Sequence, residues 1–359
     1  MMTNNQHHTM MKTSIFVSAL ALVIGCMQQS HAQTFGDQPP QGTITKVGTT
    51  SAQFLKIGVG ARQIAMGGAT VADSRDMSSL YWNPSGLGYM RGAGAQFSHT
   101  QYLADINYSY AAVGASLGNA GTIAASLIYL DSGEMNVRTI YEPEGTGERF
   151  KTQNMALQLS YGRRLTDRFS IGGSAKYIRE QIWHSYASAV ALDIGLQFRT
   201  PWDRLRIGAV MSNFGPKMKM EGRDILFSMD PSPNGSGNVE IVNAAYYLDE
   251  YALPLMFRIG SALRLIETSD HHLVFTADAA HPNDNSEYVN LGAEYSFRNL
   301  ISFRGGYRNL FEEDGIQGVT YGMGLNLRLD RTTTASVSYA FADFGRLEST
   351  HWLTVEVGF

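Results

Sequence analysis

Four groups of residues have types or spacings that chemistry could use. Gly58-x-Gly60 begins like a dinucleotide-binding turn, where glycines let backbone approach a pyrophosphate, but Gln63 stands where the third glycine is needed. Asp230-Pro231-Ser232-Pro233-Asn234-Gly235 faintly resembles the start of a calcium loop, yet its twelfth position is Ile241 rather than a bidentate Glu. A flexible loop is the better reading. His271-His272 falls in an expected turn without cysteine or spaced carboxylates, so it is not read as a metal site. His99 and His351 stand on candidate strands near serines, but no spacing marks a nucleophile and its base. No residue takes a named catalytic role. The chain is therefore read as a non-enzyme, with no cofactor and no metal.

The elements that would carry such residues follow a different logic. Of 359 residues 17% are charged, below the roughly 25% of an ordinary soluble protein. Mean hydropathy is −0.16, and no run approaches the ~20 apolar residues of a membrane helix. From about residue 93 the chain keeps a period of two. Val190, Leu192, Ile194, Leu196 and Phe198 alternate with Ala191, Asp193, Gly195, Gln197 and Arg199; Val319, Tyr321, Met323, Leu325, Leu327 and Leu329 alternate with Thr320, Gly322, Gly324, Asn326 and Arg328; Phe169, Ile171, Ala175 and Tyr177 alternate with Ser170, Gly172, Ser174 and Lys176. A soluble sandwich also alternates, but its polar face meets water and carries many Lys, Glu and Thr. Here that face is Gly, Ser, Asn and isolated charges such as Asp193, Asp278, Glu294, Arg304 and Arg328, which suits a crowded, hydrated lumen. Aromatic residues near expected strand ends (Phe169, Tyr177, Phe198, Tyr321, Tyr339) fit interfacial girdles.

The fold class is thus an all-β membrane protein, an antiparallel transmembrane barrel over residues 93–359. About fourteen strands are expected, an even number as in single-chain bacterial barrels, centred near residues 97, 112, 126, 158, 174, 193, 209, 260, 275, 292, 304, 323, 337 and 355. Short connections near 118–120, 166–167, 298–299 and 330–331 alternate with longer ones near 132–151, 181–186, 214–254, 280–286, 309–316 and 343–349. Short periplasmic turns and longer outer loops would place both termini in the periplasm. The last strand carries Leu353, Val355, Val357 and Phe359 on one face. Phe359 resembles the C-terminal signal read by the outer-membrane assembly machinery. The expected surroundings are outer-membrane lipids of a Gram-negative bacterium. The formal net charge of −4 offers no basic patch, so nucleic acid is not an expected partner.

Residues 1–32 read as a signal peptide. Lys12 precedes an apolar run from Ile15 to Gly25, and Ser30-His31-Ala32 is a small-x-small cleavage site. Val23-Ile24-Gly25-Cys26 is a rival lipoprotein site that would use the only cysteine. Residues 33–50, polar and rich in Gly, Pro and Thr, read as a flexible periplasmic lead-in.

Residues 51–92 break the alternation. Residues 51–57 suit a helical turn or two. The glycines of the following stretch mark close backbone approach. Asp73 or Ser74 is expected to cap a short helix that Asn83-Pro84 ends. A barrel of this size has a lumen too wide for its own side chains to fill. The segment is read as a plug folded into that lumen, with a periplasmic cap as the alternative. Ala52-Gln53-Phe54-Leu55-Lys56-Ile57-Gly58-Val59-Gly60-Ala61-Arg62, then Met66-Gly67-Gly68-Ala69, then Leu80-Tyr81-Trp82-Asn83-Pro84-Ser85-Gly86-Leu87 resembles the PorV/PorQ family of outer-membrane proteins, related to the long-chain fatty-acid transporter FadL. FadL-type proteins have Ala where this chain has Ser85. The resemblance implies a fourteen-stranded barrel, an N-terminal plug bearing Arg62, Met66, Gly67, Gly68, Trp82, Asn83, Pro84 and Gly86, and a role in type IX secretion or surface attachment.

The expected outer loop at 214–254 holds Met218, Met220, Phe227 and Met229, and then Tyr246, Tyr247 and Tyr251. Apolar residues there suit a partner or a greasy ligand, or a loop that packs over the barrel mouth. Two functions compete: an interaction protein binding secretion-system components or secreted cargo, and a FadL-like transporter of hydrophobic small molecules. A soluble secreted β-protein is the third and weakest reading.

Overall fold

The computed structural model describes residues 46–230, 241–312, 315 and 317–359. The signal peptide, the Cys26 site, residues 33–45 and the Asp230–Gly235 run beyond Asp230 lie outside them. Fourteen long strands form the wall: β1 Ala93–Gln101, β2 Asn107–Ser116, β3 Thr122–Asp131, β4 Thr152–Arg164, β5 Phe169–Ile182, β6 Ser185–Arg199, β7 Leu205–Phe214, β8 Met256–Glu267, β9 His271–Pro282, β10 Tyr288–Phe297, β11 Ile301–Leu310, β12 Val319–Arg328, β13 Thr334–Asp343 and β14 Ser349–Gly358. Each pairs antiparallel with its sequence neighbours, and β14 returns to β1 in a register running from Gly94 opposite Gly358 to Gln101 opposite His351. The sheet is closed, with no free edge. Every expected strand centre falls inside one of these strands.

Alternation sets which way each side chain points. On β6, Val190 and Ile194 are 55% and 50% exposed, while Ala191 and Asp193 between them are 0% and 1%. The outward apolar face meets lipid and the inward face meets other protein. Phe169 and Phe198 pair at one end of the wall, and Tyr321 stacks on Phe341 near the other. Tyr177 and Tyr339 lie farther from their strand ends.

The connections sort into two ends. One end has turns of three to five residues, together with Gly92 and Phe359. The other has the 132–151, 215–255, 283–287, 311–318 and 344–348 loops. The expected longer loop at 181–186 is instead a tight hairpin: Ile182 pairs with Ser185, leaving Trp183 and His184 as the turn. The polar run Arg179-Glu180-Gln181 hid the continuing strands. His271 begins β9 rather than sitting in a turn, because its pairing with Phe297 extends the ladder.

Residues 51–90 are not strand. They form a 3-10 turn (Gln53–Lys56), the short helices α1 (Ala61–Ala65) and α2 (Ser79–Trp82), and a second 3-10 turn (Pro84–Tyr89). Neither Asp73 nor Ser74 caps α2: the helix starts at Ser79 after Ser78, whose N–H donates to Asp76 Oδ1. Asn83 does end it, and Pro84 then occupies the first position of the next turn, where its missing N–H costs nothing. The segment runs from one end of the barrel to the other. Thr50 donates to Asp284, and the Ser51 N–H donates to the Ala252 carbonyl, both in long loops. Gly92 leaves at the short-turn end, beside Phe359. Residues 46–50 therefore do not share a side with Phe359, as a lead-in and C-terminus both in the periplasm would require.

Candidate functional site

Arg62 stands one residue into α1 and reaches the wall. Its Nε donates to Glu294 Oε2 at 2.9 Å and its Nη2 to Glu294 Oε1 at 3.1 Å, a two-pronged pair with β10. The same Nη2 donates to Asp73 Oδ2 at 2.9 Å. Arg304 on β11 donates to Glu294 at 2.6 Å, and Arg206 on β7 donates to Asp73 at 2.6 Å. Cation and anion alternate along the row Arg304–Glu294–Arg62–Asp73–Arg206, which ties the N-terminal segment to three strands. Burial disfavours the Arg62 charge, but Glu294 and Asp73 outweigh it and hold the guanidinium above its ordinary value.

The motif residues around Arg62 make the segment fit. Met66 is fully buried. Gly67 has a φ of +66°, and a Cβ there would lie 2.6 Å from the Leu291 carbonyl and 2.8 Å from that of Tyr307. Its N–H donates to Thr320 Oγ1, whose hydroxyl donates to the Ala65 carbonyl. Gly68, with a φ of +76°, lies under the Trp82 ring, and Trp82 Nε1 donates to the Val59 carbonyl at 2.8 Å. Asn83 donates to the carbonyls of Val71 and of Leu196 on β6. Ser85 donates to Asn83 Oδ1 at 2.7 Å, so the hydroxyl that replaces the usual alanine adds a bond. A side chain at Gly86 would collide with the Ser74 carbonyl. Burial pushes the Tyr81 hydroxyl up to about 12, and it donates to the Leu55 carbonyl. All eight motif residues thus lie together against the inner wall.

The wall supplies the partners of this segment. Inward glycines face each other across strand pairs where the segment comes closest. Gly292 and Gly306 receive Met66 and Gly67, Gly208 and Gly260 receive Val71, and the row Gly162, Gly172 and Gly195 receives Asn83, Pro84 and Leu87. Gln158, Gln197 and Asp278 bond the backbone of Leu80, Val71 and Ser74. Small inward residues were visible as a class; their pairing across strands needed the register.

The long-loop residues divide. Met218 is buried, bridged to Tyr251 by backbone bonds of 2.8 and 2.9 Å, and Met220 packs on the core. The Phe227 and Tyr246 rings pack tilted, 4.6 Å between centres, where Leu226–Met229 pairs with Val242–Ala245. Met229, Tyr246, Tyr247 and Tyr251 stay exposed, Tyr247 at 87%. Beside the loop an apolar cleft of about 400 Å³ is lined by Phe150, Ile182, Trp183, Met220 and Ile225. His99 Nδ1 lies 3.0 Å from Ser109 Oγ on the outer face, and His351 Nδ1 lies 2.7 Å from the Tyr339 hydroxyl. Among the described residues no third group bonds the other nitrogen of either ring. Among the described residues no cluster of His, Cys, Asp and Glu could hold a metal ion.

The family model of the type IX secretion system protein PorV matches residues 41–225, just over half of the chain. The chain belongs to the PorV family. The matched stretch covers the N-terminal segment of this PorV-family protein and its first seven strands. No curated protein matches the sequence. Among solved structures, the toluene transporter TbuX of Ralstonia pickettii has a TM-score of 0.52 at 11% identity over 84% of this chain and 97% of its own. The toluene transporter TodX of Pseudomonas putida has a TM-score of 0.52 at 12% identity, with 84% and 97% covered. A FadL homologue of Pseudomonas aeruginosa has 0.51 at 10% identity, with 84% and 98% covered. At such identities the likeness is one of fold: a FadL-like outer-membrane barrel.

Proposed function

We propose that this PorV-family barrel works in type IX protein secretion as a closed scaffold whose long-loop end receives secretion components or secreted cargo. The observation that supports this is the ion row through Arg62, which ties the N-terminal segment to β7, β10 and β11, as a plug would be held. A wall bonded to its plug in this way suits a surface for partners better than a passage. In this reading the short turns face the periplasm, the exposed Tyr246, Tyr247 and Tyr251 face outward, and Phe359 serves the assembly machinery. Residues 51–92 are the plug and 93–359 the barrel. No role as an enzyme is assigned.

The second reading, transport of hydrophobic small molecules, is favoured by the apolar cleft beside the long loop and by the fold shared with toluene transporters. Deleting the gene separates the two. Loss of exported proteins from the cell surface, with normal uptake of hydrophobic compounds, supports secretion. Unchanged surface proteins with impaired uptake supports transport and ends the secretion reading.

A further inference from the structure

The geometry points to a binding site for a small monovalent anion, a halide or a carboxylate group, between the N-terminal segment and the wall on its long-loop side. A cavity of about 30 Å³ lies there, room for a halide ion or for the three heavy atoms of a carboxylate group. Four of its lining residues are cations, Lys56, Lys176, Arg258 and Arg308, and none is a carboxylate. Two of these cations are already paired. Lys56 bonds Asp284 at 2.9 Å and Lys176 bonds Asp193 at 2.7 Å.

Among the described residues neither arginine forms an ion pair within 4.0 Å. Arg258, on β8, is only 7% exposed, and its Nε has no hydrogen-bond partner. Its guanidinium rests 5.1 Å from the centre of the Trp82 ring and 5.8 Å from that of Tyr81. The neighbouring Asp278 spends one carboxylate oxygen on the Val71 N–H and makes no ion pair with it within 4.0 Å. Arg308, on β11, also has a buried Nε without a partner. Ser212, on β7, adds a third: its buried hydroxyl lines the same cavity and bonds nothing. The three residues that carry these orphaned donors, two of them cationic, line one small space. Burying charge without a counter-ion is costly, and one anion there would satisfy both guanidinium groups and the hydroxyl at once. Arginine's fixed fork of donors suits a carboxylate, and a halide fits the same volume. The Tyr81 and Trp82 rings, which line the same cavity, lie against the Arg258 guanidinium.

The test uses the full barrel, purified in detergent and crystallised from sodium bromide. An anomalous bromide peak within hydrogen-bond reach of Arg258 or Arg308 is expected. So is a rise in unfolding temperature with bromide relative to a bulky sulfonate at equal ionic strength. Removing one charged hydrogen bond should weaken the bromide response about tenfold, in Arg308→Gln and in Arg258→Gln alike. Heat-modifiable gel migration checks that each variant has folded. Displacement of bromide by acetate assigns the site to carboxylates; retention against saturating acetate assigns it to halides. Absence of a peak at both guanidinium groups together with no thermal shift overturns the proposal, as does a bromide response unchanged in both folded variants.

Discussion

The N-terminal segment and the 215–255 loop are both rich in apolar residues outside the strands, yet they are held differently. Residues 51–90 leave no residue in the exposed class and meet the wall through ion pairs, side-chain caps on backbone groups, and paired glycines. Among its described residues the loop packs at its base, through Met218, Met220 and the Tyr251 bridge, and leaves Tyr246 and Tyr247 in the open. The contrast teaches that apolar content alone does not decide whether a segment becomes core. What decides it is whether the surrounding wall supplies partners for the backbone polar groups that burial strands.

Breaking the ion row should have the largest effect. Arg62→Met leaves Glu294 and Asp73 buried with one partner fewer each, for an expected loss on the order of 3 kcal/mol, read from the temperature at which the folded gel band disappears. Gly67→Ala adds a Cβ against two wall carbonyls at a positive φ and should cost about 1–3 kcal/mol by the same measurement. A smaller, local effect is expected at the first turn. Burial opposes the Asp284 charge, but Gln53, Thr50 and Lys56 together hold its carboxyl below the ordinary range. A carboxylate with a lowered folded pKa stabilises fully above its unfolded value of about 3.9 and loses that contribution as pH falls through the folded value. Amide exchange at Leu55 and Ile57 should stay slow at neutral pH and quicken only below about pH 4. Asp284→Asn should show fast exchange at both. Tyr247→Ser should do least, within about 0.5 kcal/mol, while weakening partner capture; a large loss of stability there would erase the contrast between the two regions.

Much of the wall was legible because lipid on one side and a polar interior on the other impose a strict period of two. The Trp183 hairpin escaped because Arg179 to Gln181 interrupted that period while the ladder continued. Arg62 was legible as a motif residue, but its partners were not: Glu294 and Arg206 lie 232 and 144 positions along the chain, brought close only by closure of the barrel. Glycines such as Gly172 and Gly195 read as small inward residues, and only the register shows them opposite each other beneath Pro84 and Asn83. The α1 helix was hidden by the glycines on either side of it. The path of residues 46–56 toward the long loops depends on contacts with Ala252 and Asp284, which no local pattern announces.

If residues 51–90 close the barrel and function lies with the outer loop, the purified protein should not conduct ions in a planar bilayer. No stable ion-conducting steps are expected from the wild type, and large steps are expected once residues 51–90 are removed. Steady conductance from the wild type, matching that of the shortened protein, would contradict that closure.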